Sequence, residues 1–183
     1  MNERPFEPTD LTSVIETYTA SIRSLASSFY SPEQIEAWAP IPPDATRWQE
    51  RLAKLHTIVS ESDGVLAGFA AYTQDGYLDF LFTHPVFARR GVASGLYRHV
   101  EAALCAVGAP RVTAHVSLAA RPFFDHHGFQ LDVEECVECR GAYLRRFAMH
   151  KHLDNGRTVE PSADATLAHR AVVPIDASHK PSL

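Results

Sequence analysis

The sequence has no run approaching the roughly 18 apolar residues that a membrane-spanning helix needs, which sets aside a helical membrane protein. Its opening residues, MNERPFEPTD, lack the apolar core of a secretory signal, and the expected location is the cytoplasm. Cysteine is scarce: Cys105, Cys136 and Cys139 make an odd count and no disulfide framework, which fits a reducing compartment. A basic excess is missing too. Seventeen lysines and arginines stand against 22 acidic residues, a formal charge of -5, so no nucleic-acid footprint is expected. What remains is a 183-residue chain, 45% hydrophobic and 21% charged, sized for one globular domain with a full core.

Apolar spacing of three and four from Leu11 through Ile15, Tyr18, Ile22 and Leu25 predicts a helix, with Asp10 as its cap. Ser31-Pro32-Glu33-Gln34 predicts a second helix with a capping box, and Asp44 caps a third whose inner face is Trp48, Leu52 and Leu55. The period then changes to two. Strand-like runs at 56–61, 65–73 and 77–83, joined at Ser62-Asp63-Gly64 and Gln74-Asp75-Gly76, predict an antiparallel meander. A long helix follows from Gly91 to Gly108, then a strand from Arg111 to Ser117, so strand, helix and strand form one parallel crossover. A short helix ending at Gly128 and two strands meeting at Arg140-Gly141 complete the order. The expected class is α/β of the α+β type, a mixed, mostly antiparallel sheet with helices on both faces. One domain is expected over residues 1–153, with 154–183 as a polar tail.

The stretch LDFLFTHPVFARRGVASGL, Leu78 to Leu96, carries the most chemistry. A strand broken by Pro85 feeds a helix start through Arg89, Arg90 and Gly91. Such a loop points unpaired N–H groups at one spot, where the helix dipole also favours an anion. Gly91 lets the backbone bend and a bulky anion approach. No Gly-Lys-Ser/Thr follows, so this is not a Walker loop.

Together with Ser117-Leu118-Ala119-Ala120-Arg121-Pro122-Phe123-Phe124 and Gly128-Phe129, this segment resembles the GNAT superfamily of acetyl-CoA-dependent N-acetyltransferases. The family's Gln/Arg-x-x-Gly-x-Gly/Ala loop reads Ala88-Arg89-Arg90-Gly91-Val92-Ala93 here, with Ala in the first position. The resemblance implies a cleft where the fourth and fifth strands splay. Phe82 and Thr83 would meet the pantetheine arm, Arg89, Arg90, Gly91, Val92, Ala93 and Ser94 the pyrophosphate, and Ser117 and Phe124 would complete the cofactor side. Acetyl-CoA is the implied co-substrate, and no metal is implied. Trp38 and Tyr77 are expected at the acceptor site.

Direct transfer needs a neutral amine, so a base is expected, and Asp79 or His115 could serve. Relatives often place a tyrosine acid four residues before the glycine of Gly-Phe. Phe124 stands there, and Tyr143 is the remaining candidate to protonate the thiol. His126 and His127 invite a metal reading, but neighbours on a helix diverge by about 100° and cannot chelate from one face. Cys136 and Cys139 form a lone C-x-x-C without the further ligands that zinc requires. The expected activity is acetyl transfer to a small-molecule amine or a protein amino group. A catalytically weak acyl-CoA sensor is the alternative, with no nucleic acid or membrane as partner and a homodimer left open.

Overall fold

The computed structural model describes residues 1–154, so the polar tail expected from the sequence lies outside the described residues from position 155 onward. Two-residue turns set the sheet's hairpins. Asp63-Gly64 joins β2 (His56–Ser62) to β3 (Val65–Tyr72), and Arg140-Gly141 joins β6 (Gln130–Cys139) to β7 (Ala142–His152). All four turn residues have positive φ, between 46° and 84°, the twist that matches right-handed strands. With β4 (Tyr77–Thr83) and β5 (Arg111–Ser117), and a short β1 (Asn2–Pro5), they build a seven-stranded sheet in the order β1-β2-β3-β4-β5-β7-β6. Every neighbouring pair is antiparallel except β4 with β5.

One face carries α1 (Leu11–Leu25), α2 (Pro32–Trp38) and α3 (Ala45–Leu52), packed on Val59, Phe69, Phe80 and Leu144. The other carries α4 (Val92–Ala106) and α5 (Arg121–His126), packed on Ala70, Leu78, Val112, Val116 and Met149. The caps behave as expected at α2, where Ser31 and Gln34 form the reciprocal box, and at α3, where Asp44 Oδ1 accepts from Arg47 N–H at 3.0 Å. At α1 the expectation fails. Asp10 starts the helix but does not cap it; its carboxylate accepts from Arg4 at 2.7 and 2.8 Å and from Glu7 N–H at 2.8 Å. Arg4 also reaches Glu61 at 2.6 Å, which fastens β1 to the edge of the sheet.

An irregularity in β4 sets which backbone groups face its two neighbours. Tyr72 pairs with Leu78 but Ala71 pairs with Phe80, so Asp79 is an extra residue, a β-bulge. Before the bulge, Tyr77 C=O accepts from Thr73 N–H toward β3, while Gly76 C=O accepts from Thr113 N–H toward β5. After it the alternation is shifted: His84 N–H donates to Ala67, so the even residues Phe80 and Phe82 face β3. Leu81 and Thr83 therefore turn their backbone groups away from β3.

Candidate active site

Among the described residues β4 and β5 pair only at Tyr77↔Thr113 and Leu78↔Ala114. Beyond those two positions the parallel strands part, and a gap opens in the sheet. The backbone groups that face it belong to Leu81 and Thr83, since the alternation directs those of Phe82 to β3. Of the two residues expected there, Thr83 stands at the gap; Leu81 takes the place expected for Phe82. The bulge is the reason, and the sequence carries no plain mark of it.

At the gap's outer end lies the loop into α4. Arg89 (φ 62°) and Gly91 (φ 85°) both hold left-handed backbone, which turns successive N–H groups into a concavity suited to an anion. The first helical bond runs from Gly95 N–H to Gly91 C=O, so helix geometry leaves Val92, Ala93 and Ser94 N–H without intrahelical acceptors. No atom beyond the chain neighbours lies within 4 Å of a Cβ built on Gly91, so the cradle is open. These features fit a pyrophosphate. The α4 start can approach the sheet this closely because position 68 is glycine: a Cβ there would meet Phe82 O at 2.6 Å and Val92 Cγ1 at 2.7 Å. Gly91→Ala is expected to cost about 1–2 kcal/mol of backbone strain alone and to raise the KM for the anionic co-substrate. Steady-state kinetics beside a thermal melt separate the two effects.

Ser94 Oγ lies 3.2 Å from His127 Nε2, tying the first turn of α4 to the end of α5. That gives His127 a structural partner, and burial lowers its pKa from the ordinary value. Ser117 ends β5 and its Oγ accepts from Ala120 N–H at 3.2 Å, turning the chain toward α5. Phe124 is 6% exposed and packs edge-to-face on Phe123 and Phe129, within the core rather than at the gap. Tyr143 is 63% exposed on the outer hairpin.

A polar cluster occupies the α1–α3 side of the fork. The Tyr77 hydroxyl is 3.0 Å from His115 Nδ1. Burial first, and the charge of Asp79 next, push Tyr77 up to about 12, so the phenol keeps its proton and is assigned as donor to Nδ1. The ring proton of His115 then sits on Nε2, 3.6 Å from Glu135 Oε2, which also accepts from Arg146 Nε at 2.7 Å. Burial, then the Arg146 charge, lowers the His115 pKa below the ordinary histidine value. His115 is therefore neutral at neutral pH.

Asp79 is differently placed. Its side chain is 6% exposed, and both oxygens accept from Arg51: Nε to Oδ2 at 2.9 Å, Nη2 to Oδ1 at 2.7 Å. A carboxylate held in this way has no free lone pair aimed at a substrate, which argues against it as the base. Sequence reasoning missed Arg51, Glu135 and Arg146. Arg51 lies on the helix turn after Trp48, a face read only for its apolar residues. Glu135 and Arg146 were within reach, because the Arg140-Gly141 turn pairs Cys139 with Ala142 and hence Glu135 with Arg146.

Beside the cluster, a cavity of about 490 Å³ opens between α1–α3 and the β6–β7 hairpin, with Trp38, Trp48, Arg51 and Phe80 in its walls. Trp38 thus reaches the acceptor side as expected, although it is also buried against Tyr30. A sheet forked between two parallel strands, with an anion cradle at one end and a proton-handling cluster across the gap, defines a group-transfer enzyme that holds two reactants side by side.

Known proteins agree with that class. A family model described as Acetyltransferase (GNAT) domain matches residues 26–153. The uncharacterized N-acetyltransferase YafP of Escherichia coli K12 is 36% identical over 146 residues, covering 80% of this chain and 92% of that protein. The crystal structure of a GCN5-related N-acetyltransferase from Rhodopseudomonas palustris superposes with a TM-score of 0.80 at 32% identity, covering 83% of this chain and 95% of that one. A phosphinothricin acetyltransferase from Sinorhizobium meliloti, solved with acetyl-CoA, shares the fold at 16% identity and a TM-score of 0.67, over 88% and 93% of the two chains. The chain belongs to the GNAT superfamily of N-acetyltransferases, and it is an acyltransferase. No helix among the described residues is long and apolar enough to cross a membrane.

Proposed function

We propose that this chain transfers acetyl from acetyl-CoA to a primary amine by direct attack at the fork between β4 and β5. The observation that carries the reading is the Tyr77–His115 hydrogen bond placed where the two strands part. The Leu81 and Thr83 N–H groups facing the gap are suited to pair with the pantetheine arm and polarise the thioester carbonyl, an oxyanion-type role. Arg89 to Ser94 receive the pyrophosphate. Holding both reactants on one gap supplies the proximity term.

The amine nitrogen bonds to the acetyl carbon, and the carbon–sulfur bond breaks. The proton lost by the amine passes through the Tyr77 hydroxyl to His115 Nδ1, and Glu135 faces the imidazolium that results. The thiolate, a modest leaving group with a pKa of about 8.5, departs without a dedicated acid, or takes its proton back from Tyr77. Neither buried Phe124 nor Tyr143 on the outer hairpin enters the scheme.

Acetyl-CoA is expected to raise the melting temperature by an amount that grows with its concentration, whereas ATP leaves it unchanged. Thiol release with a panel of primary amines then tests transfer itself. A chain stabilised by acetyl-CoA that releases thiol with no amine would instead be an acyl-CoA sensor.

A further inference from the structure

Resting on the transferase reading, we propose that the acceptor is a small amine carrying an anionic group, a carboxylate or phosphonate, that docks on Arg47 and Arg140. The cavity of about 490 Å³ lies within the range of small-ligand sites, roughly 300–1,000 Å³. Three guanidiniums line it, from Arg47 and Arg51 on α3 and Arg140 at the hairpin turn. Arg51 is neutralised by Asp79 and lies flat over the Phe80 ring, 4.3 Å from its centroid. Arg47 and Arg140 form no ion pair among the described residues. Arg140 is held in place by an uncharged group, donating from Nη1 to the Ala37 carbonyl at 2.7 Å, so its charge remains available while its position is fixed.

Local folding does not explain Arg47. It stands in the first turn of α3, where the helix dipole disfavours a cation, and one turn before Arg51, a like charge. Both terms oppose the helix, and an anion from outside would offset both. On the same wall Trp38 is buried with its Nε1–H unpartnered among the described residues, a group that only donates. Two carboxylates also reach the cavity, Asp44 and Glu138. Asp44 is engaged as the α3 cap, which leaves Glu138 as the chief attraction for a second cation. Arg51 bridges the cavity to the fork through Asp79, so an amine directed at Tyr77 and His115 leaves its far end toward Arg47 and Arg140.

The test is thiol release by the full chain with acetyl-CoA and matched amines: 6-aminohexanoate against 6-aminohexanamide, 4-(aminomethyl)benzoate against 4-(aminomethyl)benzamide, and spermidine. The expected result is a kcat/KM at least about tenfold higher for the carboxylate of each pair, expressed mainly in KM. Arg47→Gln and Arg140→Gln should each bring the carboxylate-to-carboxamide ratio toward one, and Arg47→Lys and Arg140→Lys should retain most of it. Preference for the carboxamides or for spermidine, or a ratio indifferent to the glutamine variants, overturns the proposal and leaves the transferase reading intact. No turnover with any amine, in a chain that acetyl-CoA still stabilises, removes both.

Discussion

His115→Ala is expected to slow acetyl transfer by about 10²- to 10⁴-fold, the usual contribution of a positioned proton acceptor. The wild-type imidazole is neutral and is held by a tyrosine that keeps its own proton, so it is ready to take one. The sign of the pH dependence comes from the same geometry. Burial and the Arg146 charge lower the His115 pKa, so the imidazole stays neutral as pH falls until a value below the ordinary 6.5. The acid limb of kcat/KM should therefore lie lower than an unperturbed histidine would place it, and His115→Ala should abolish that limb. A merely structural histidine would leave the limb in place and change the melting temperature instead. Full activity in the variant would remove His115 from the mechanism.

Asp79→Ala is expected to act on stability first. Taking one partner from a buried ion pair leaves an uncompensated charge and costs about 3–5 kcal/mol. In a chain of this size that corresponds to a fall of about 10 °C in melting temperature. The Asp79 side chain is 6% exposed and that of Arg51 is 29% exposed, so the arginine is the partner that water can partly rescue. Replacing both, as Asp79→Leu with Arg51→Met, should recover much of the loss because no orphan charge remains. If Asp79 were the base, Asp79→Asn would erase the acid limb of the pH profile at an unchanged melting temperature. A wild-type melting temperature for Asp79→Ala would contradict the buried pair.

The elements that the sequence foretold are those whose cause is local. The capping box at Ser31 and Gln34, the Asp44 cap and the strand from Arg111 to Ser117 appear where spacing and cap chemistry put them. The hairpin at Arg140-Gly141 also fixed a register from which a cross-strand pair could be read. What stayed hidden depends on distant parts of the chain. β1 has four residues with two charges and a proline, and only the link from Arg4 to Asp10 and Glu61 explains why it joins the sheet. Asp79 reads in sequence as a strand carboxylate open to substrate; its arginine lies 28 positions earlier on another element. The anion loop was legible because strand, glycine and helix start are contiguous. The acceptor cavity was not, since its walls come from α1, α2, α3 and the last hairpin.

The extra residue in β4 couples two surfaces that a modular enzyme would keep separate. Because Asp79 shifts the alternation, one residue decides that Leu81 and Thr83 turn their amides to the gap and that Phe80 faces the acceptor cavity. Deleting it would exchange both sets at once, sending Phe80 and Phe82 toward α4 and the Phe82 backbone to the gap. Substitutions can retune the acceptor wall one side chain at a time, but a change in the length of β4 cannot alter one half of the reaction without altering the other. Diversification of acceptor choice on this scaffold is thereby confined to replacements in β4 and to insertions in the loops around α2 and α3.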